Sequence, residues 1–271
     1  MYKQKNLLKE IPEINFKEKK ALVILSTQRS GSTMLCQDIK ALGILGTPDE
    51  HFWQVLTQKK GTSGEQLVDY FTSNGNLNNS DFYSIKLMYN HLDMFGFWIS
   101  DRVLDKETNT KKYRELALRF FLEKFDNATF IYIQRKNKFE QALSHYRSAK
   151  TNLWHIIEGK KVKTKHSNSL KEHELLDNID LELFNRIYDR TCRQDKQLQK
   201  FMKKQGINYI PLVYEEIRNE YPSYLLEIGA KAGVKLDINS LDERKIKKIV
   251  SKEFALTFKE ALLEITDREY L

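Results

Sequence analysis

The apolar run Ala21-Leu22-Val23-Ile24-Leu25 passes directly into Ser26-Thr27-Gln28-Arg29-Ser30-Gly31-Ser32-Thr33. A short apolar run bounded by small polar residues reads as a buried strand. The loop after it is too small and too polar to be core, and a helix is expected to begin near Ser32. A strand–loop–helix unit of this kind aims several backbone N–H groups, and the positive end of a helix, at one spot. That spot is a seat for a phosphate or sulfate group.

What the loop lacks narrows the ligand. Set against the nucleotide-triphosphate pattern G-x-x-x-x-G-K-[ST], Ser26 stands at the first glycine and Gly31 at the second. Ser32 replaces the lysine, and Thr33 fills the last position. The anion cradle is kept, but the lysine that reaches the outer phosphates is gone. The nearest cation, Arg29, precedes the glycine. This disfavours an ATPase or GTPase and favours another phosphate-bearing donor.

The rest of the chain reads as strands alternating with helices. Strands are expected at 21–26, 83–88, 129–134 and 209–214, the last at a sheet edge because of Pro211. Helices are expected at 32–43, 65–73, 111–125, 137–150, 178–204, 216–233 and 242–264. The Asn- and Gly-rich stretch 74–80 reads as a turn. The expected class is α/β: one domain over 1–271 with a P-loop-like, mostly parallel sheet flanked by helices. Residues 1–19 read as a charged lead-in, 44–64 as loop over the site, and 155–177 as a polar, lysine-rich excursion that could act as a lid.

Composition sets the outer limits. The 271 residues are 41% hydrophobic and 30% charged, enough for a core and a well-solvated surface. No apolar run approaches the roughly 18 residues of a membrane span, and Met1-Tyr2-Lys3-Gln4 does not open an apolar leader. Cytoplasmic residence is the expectation. Cys36 and Cys192 form no ligand pattern, and neither do His145 and His155, so no metal is expected. The net charge of +8 suits an anionic ligand, although most of the basic residues are scattered as on an ordinary solvated surface.

Several blocks, in order, carry a family resemblance: Ser26 to Leu35, Gly46-Thr47-Pro48-Asp49-Glu50-His51-Phe52, Lys86-Leu87-Met88-Tyr89-Asn90, and Gln134-Arg135 through Ser144 to Trp154. With weaker similarity from Asp189 to Tyr214, the chain resembles the Stf0 family of bacterial carbohydrate sulfotransferases, whose best-known member sulfates trehalose. The resemblance implies the sulfotransferase fold. It implies a 3′-phosphoadenosine 5′-phosphosulfate (PAPS) donor, and a carbohydrate or glycolipid acceptor. It also implies roles. Arg29, Ser30, Gly31, Ser32 and Thr33 would hold the 5′-phosphosulfate, and Arg135 with Ser144 the 3′-phosphate. Arg29 would stabilise the departing phosphate, Glu50 would be the general base, and Gln28 would contact the acceptor. His51 stands where the family has an aromatic residue, a departure in the acceptor pocket.

The residues themselves leave alternatives open. Arg29 and Arg135 could each pair with a carboxylate. Asp49 and His51 rival Glu50 as the base. Lys86 could bind sulfuryl oxygens or merely pack, and Asn90 could orient the acceptor. Arg147 could reach an anion or a carboxylate. Trp53, Trp154 and Tyr89 could stack on a ring or belong to the core. Two other classes remain as rivals, a kinase or NTPase using the anion loop and a basic nucleic-acid binder, although no nucleic-acid motif is visible. The partners expected are a small acceptor and no nucleic acid, with a homodimer left open.

Overall fold

The structure, a computed structural model, describes residues 18–51, 80–99, 110–154, 156–157, 172–239, 241–242, 246–247 and 250–270. Strands β1 (Lys20–Ser26), β2 (Phe82–Met88) and β3 (Asn127–Gln134) are followed by the two-residue β4 (Ile156–Ile157). β5 (Tyr209–Val213) and the two-residue β6 (Ile246–Lys247) complete the set. The four longer strands form one sheet in the order β2-β1-β3-β5, and every neighbouring pair is parallel. β4 and β6 pair antiparallel in a separate small sheet. Pro211 lies on β5, at the edge, where its missing N–H costs the ladder least.

The strands are apolar on both faces because helices cover both. On one face, Ala21, Val23, Leu25, Tyr83, Ile85, Leu87, Phe130 and Tyr132 pack with α2 (Tyr89–Ile99), α3 (Thr110–Lys124) and the end of α6 (Leu181–Lys204). The alternate residues, among them Leu22, Ile24, Ile131, Ile133 and Leu212, meet three helices on the other face. Those helices are α1 (Ser32–Leu42), α7 (Tyr214–Asn219) and α8 (Leu225–Ala232). A third apolar cluster joins α4 (Lys138–Thr151), α5 (Glu172–Asp177), the start of α6 and α9 (Lys252–Ile265), with Phe139, Tyr146, Phe184, Phe258 and Tyr270 at its centre.

The order β2-β1-β3-β5 places the site. From β1 the chain moves to β2 on one side and then to β3 on the other, with α1 and α2–α3 on opposite faces. Such a reversal opens a crevice at the carboxyl ends of the two strands concerned. Ser26 of β1 is in register with Met88 and Ile133. The loop 27–31, the start of α2 and Arg135 therefore leave the sheet together.

Four helix expectations need correction. No helix was expected after β2, yet α2 begins at Tyr89 without a linker. It is apolar almost all round and carries Gly96, where an added Cβ would lie 1.7 Å from the Tyr113 carbonyl oxygen of α3. The expected helix 216–233 is two, α7 and α8, separated by a segment containing Pro222, whose ring cannot continue a hydrogen-bonded turn. The expected helix 242–264 begins only at Lys252, where the Ser251 hydroxyl accepts from Phe254 N–H. The excursion 155–177 is not wholly loose: residues 172–177 form α5, anchored by buried Leu175, and 156–157 form β4. Residues 1–17, the expected helix 65–73, most of the turn and Trp53 lie outside the described residues.

Candidate active site

The loop between β1 and α1 is shaped by two residues with positive φ. Arg29 has φ 62° and Gly31 φ 93°, on either side of Ser30. Alternating hand of this kind turns successive N–H groups toward one concavity. Gly31 is also the N-cap of α1, and no side chain caps that helix start. The Ser30 hydroxyl is buried without a hydrogen-bond partner. A buried, orphaned donor beside uncapped helix amides fits an anion seat. Only glycine is tolerated at 31 for a second reason. Its Cβ would come within 2.3 Å of the Tyr214 ring, which closes under the loop.

Arg29 reaches across the crevice to α4. Its Nε donates to the Ser144 Oγ at 3.0 Å, and its Nη1 to the backbone carbonyl of Trp154. Burial, reinforced by Arg135, lowers the Arg29 pKa to about 10, so it stays charged at neutral pH. Arg135, 5% exposed, pairs with Glu140 and lies 3.8 Å from Glu215, with its guanidinium 4.8 Å from the Tyr214 ring centroid. Its Nε has no hydrogen-bond partner. The carboxylate pairing weighed for Arg135 is thus present, and the side chain bonded to Ser144 is Arg29. Two guanidiniums repelling each other in a buried crevice would be relieved by a multiply charged anion.

Opposite the loop, Lys86 points inward rather than snorkelling. It is 2% exposed, with its Nζ 2.8 Å from Glu50 Oε1 and 3.2 Å from Thr33 Oγ1. The lysine missing at position 32 is thus supplied to the loop from the next strand. Burial disfavours the Lys86 ammonium, but Cys36 and Glu50 outweigh burial and raise its pKa. Burial pushes the Cys36 thiol up to about 12, so it is neutral at ordinary pH, and Glu50 is the partner that keeps Lys86 charged. The carboxylate of Asp49 is held elsewhere. It accepts from Lys40 at 2.8 Å and from the Glu50 N–H at 2.8 Å. Burial pushes the Asp49 pKa up, and the Lys40 contact outweighs it to leave the pKa below the ordinary value. His51 Nε2 lies 2.7 Å from the Thr47 carbonyl, so that nitrogen carries the proton, and burial lowers the pKa of the ring.

Of the remaining candidates, Gln28 is half-buried in the loop, and its carbonyl accepts from Gln141. Ser32 is buried at the first turn of α1. Asn90 is half-buried at the start of α2. The Arg147 guanidinium lies 5.9 Å from the Phe254 ring centroid. Tyr89 is buried under Arg114, and Trp154 is 38% exposed beside His145. Sequence reasoning missed Tyr214, Gln141, Glu140 and Glu215. The run after Tyr214 signals only a helix start rich in acid, and Gln141 sits in a helix that reads as amphipathic.

His145 adds a pH dependence. It is 5% exposed, and Arg190 Nη2 faces its Nε2 at 3.3 Å. Burial, then Arg190 and Arg29, lower its pKa from 6.5 to about 4. Between those values only the unfolded chain takes up the proton, so stability is lost as the pH falls from 6.5 towards 4. The loss reaches about 3 kcal/mol. Urea unfolding across that window is expected to show it, and His145→Gln to flatten it; an unchanged slope would remove His145 as the cause.

The family model described as Stf0 sulphotransferase matches residues 21–255. The chain belongs to the Stf0 sulphotransferase family. Its first matched residues are β1, and the anion loop, Lys86 and Arg135 all fall inside the match. Among solved structures it is similar to the sulfotransferase domain of the olefin synthase from Synechococcus PCC 7002. That likeness has 12% identity over 95% of this chain and 98% of the other, with a TM-score of 0.41. No curated protein matches the chain. Among the described residues no cluster of His, Cys, Asp and Glu could hold a metal, and no helix is long and apolar enough to cross a membrane.

Proposed function

We propose that this Stf0 sulfotransferase moves a sulfuryl group from PAPS to a hydroxyl of a carbohydrate or glycolipid. The observation that carries the reading is the link from Arg29 to Ser144, which joins the anion loop to α4 beside a second buried arginine, Arg135. A nucleotide with phosphates on both the 5′ and 3′ positions needs two cationic seats close together. In this reading the loop amides, Ser30, Ser32 and Thr33 hold the 5′ end. Ser144, Arg29 and Arg135 hold the 3′-phosphate, by forked, charge-assisted hydrogen bonds.

The acceptor hydroxyl attacks sulfur in line. A new S–O bond forms as the bond from sulfur to the bridging oxygen breaks, and adenosine 3′,5′-bisphosphate leaves with the electron pair. Glu50 takes the hydroxyl proton. Arg29 and the loop amides stabilise charge on the departing phosphate, and Lys86 stabilises charge on the sulfuryl oxygens. Gln28 and Asn90 orient the acceptor. The Asp49 carboxylate is engaged by Lys40, which favours Glu50 over its neighbour as the base.

Calorimetry should find adenosine 3′,5′-bisphosphate bound far more tightly than AMP, and equal affinities would sink the donor assignment. Arg135→Ala should remove most of that preference, at about 1.5–3 kcal/mol. An acceptor screen with labelled PAPS and mass detection of added sulfate identifies the second substrate.

A further inference from the structure

Gln141 is fully buried on α4, and it does not pack there as a bystander. Its Nε2 donates to the Gln28 carbonyl at 2.7 Å and to Thr27 Oγ1 at 3.0 Å. Its Oε1 faces Lys138 Nζ at 3.4 Å. Lys138 is itself held at 2.7 Å by Asp195, which also accepts from the buried Tyr132 hydroxyl. The amide is therefore oriented from behind: its oxygen faces an ammonium, so both N–H groups face the loop.

The peptide bond turns this contact into a consequence for the ligand. In a planar trans peptide the carbonyl and the following N–H point opposite ways. Drawing the Gln28 carbonyl toward α4 turns the Arg29 N–H away from α4. It also fixes the peptide from which Arg29 enters its positive-φ conformation. Ser144, one turn along the same helix, takes the Arg29 side chain. One face of α4 thus holds both the backbone and the side chain at position 29.

We propose that Gln141 is a positioning residue that sets the loop's affinity for the 5′-phosphoryl end of the donor by holding the Gln28–Arg29 peptide. The inference rests on the PAPS reading. The probes are adenosine 3′,5′-bisphosphate and adenosine 3′-monophosphate, which lacks the group that the loop would bind. Wild type should prefer the bisphosphate. Gln141→Met, of similar length without N–H donors, should lower that preference about tenfold or more and leave adenosine 3′-monophosphate affinity within about twofold. A merely structural role would weaken both ligands alike, and that result, or an unchanged preference, overturns the proposal. Gln141→Glu, which removes the donors and keeps the shape, is the second variant; failure of both to fold also overturns it. If wild type itself shows no preference, the PAPS reading fails separately. The ligand-free amide NMR shifts of Arg29, Ser30 and Gly31 then decide: displaced in Gln141→Met, they support the clamp, and unmoved, they overturn it.

Discussion

Replacing Glu50 with Gln is expected to lower sulfate transfer by roughly 10²–10⁴ while donor binding changes little. The substitution keeps the shape and removes the basicity. It also removes the counter-charge of Lys86, an ammonium that is 2% exposed. Breaking a buried pair from one side costs about 3–5 kcal/mol. The Glu50 side chain is 29% exposed, so the stability loss here should be smaller, about 1–3 kcal/mol. The two effects can be separated. Adding Lys86→Met to Glu50→Gln removes the orphaned charge and should return stability without returning turnover. Transfer at the wild-type rate in Glu50→Gln would eliminate Glu50 as the base and bring His51 forward.

Gly31→Ala should be as damaging for a different reason. At φ 93° an alanine is strained, and its Cβ would sit 2.3 Å from the Tyr214 ring. The strain costs about 1–3 kcal/mol, and forcing the ring aside costs a similar amount. The Tyr214 ring also lies under the Arg135 guanidinium, so its displacement moves a second part of the site. Affinity for adenosine 3′,5′-bisphosphate should fall by about 100-fold or more, with a clear loss of thermal stability. Gly31→Ala combined with Tyr214→Ala relieves the collision but keeps the backbone strain, so it should recover only part of the stability. Wild-type affinity in Gly31→Ala would mean that the loop does not bind the donor.

The sheet was legible because its strands are short apolar runs with no competing period, from Ala21-Leu22-Val23-Ile24-Leu25 to Tyr209-Ile210-Pro211-Leu212-Val213. The anion loop was legible because glycine and small hydroxyl residues in that order have few other uses. α2 was not legible. It starts on the residue after β2, is apolar nearly all round and contains a glycine, so neither a turn nor a helical stripe marks it. The division of α7 from α8 and the late start of α9 depend on Pro222 and the Ser251 cap, local signals that a broad helical pattern overrode. In the site, residue types suggested Arg29, Arg135 and Lys86, but not their partners. Lys86 meets Thr33 only because β2 lies beside β1, and Arg29 meets Ser144 only because β3 lies on the other side. Such pairings are products of strand order, which no local pattern encodes.

The third apolar cluster has a consequence for how the protein is made. The inner face of α4, the helix bearing Ser144, is covered by Phe258, Leu262 and Tyr270, more than a hundred positions later in the chain. Tyr224 likewise bonds Asp38 of α1 at 2.6 Å, with 186 positions between them. During vectorial synthesis the β1 loop emerges early, yet both helices beside it wait for late partners. A nascent chain halted before residue 250 should therefore expose an unfinished α4 to chaperones and proteases, and gain its nucleotide affinity only after α9 has left the ribosomal tunnel.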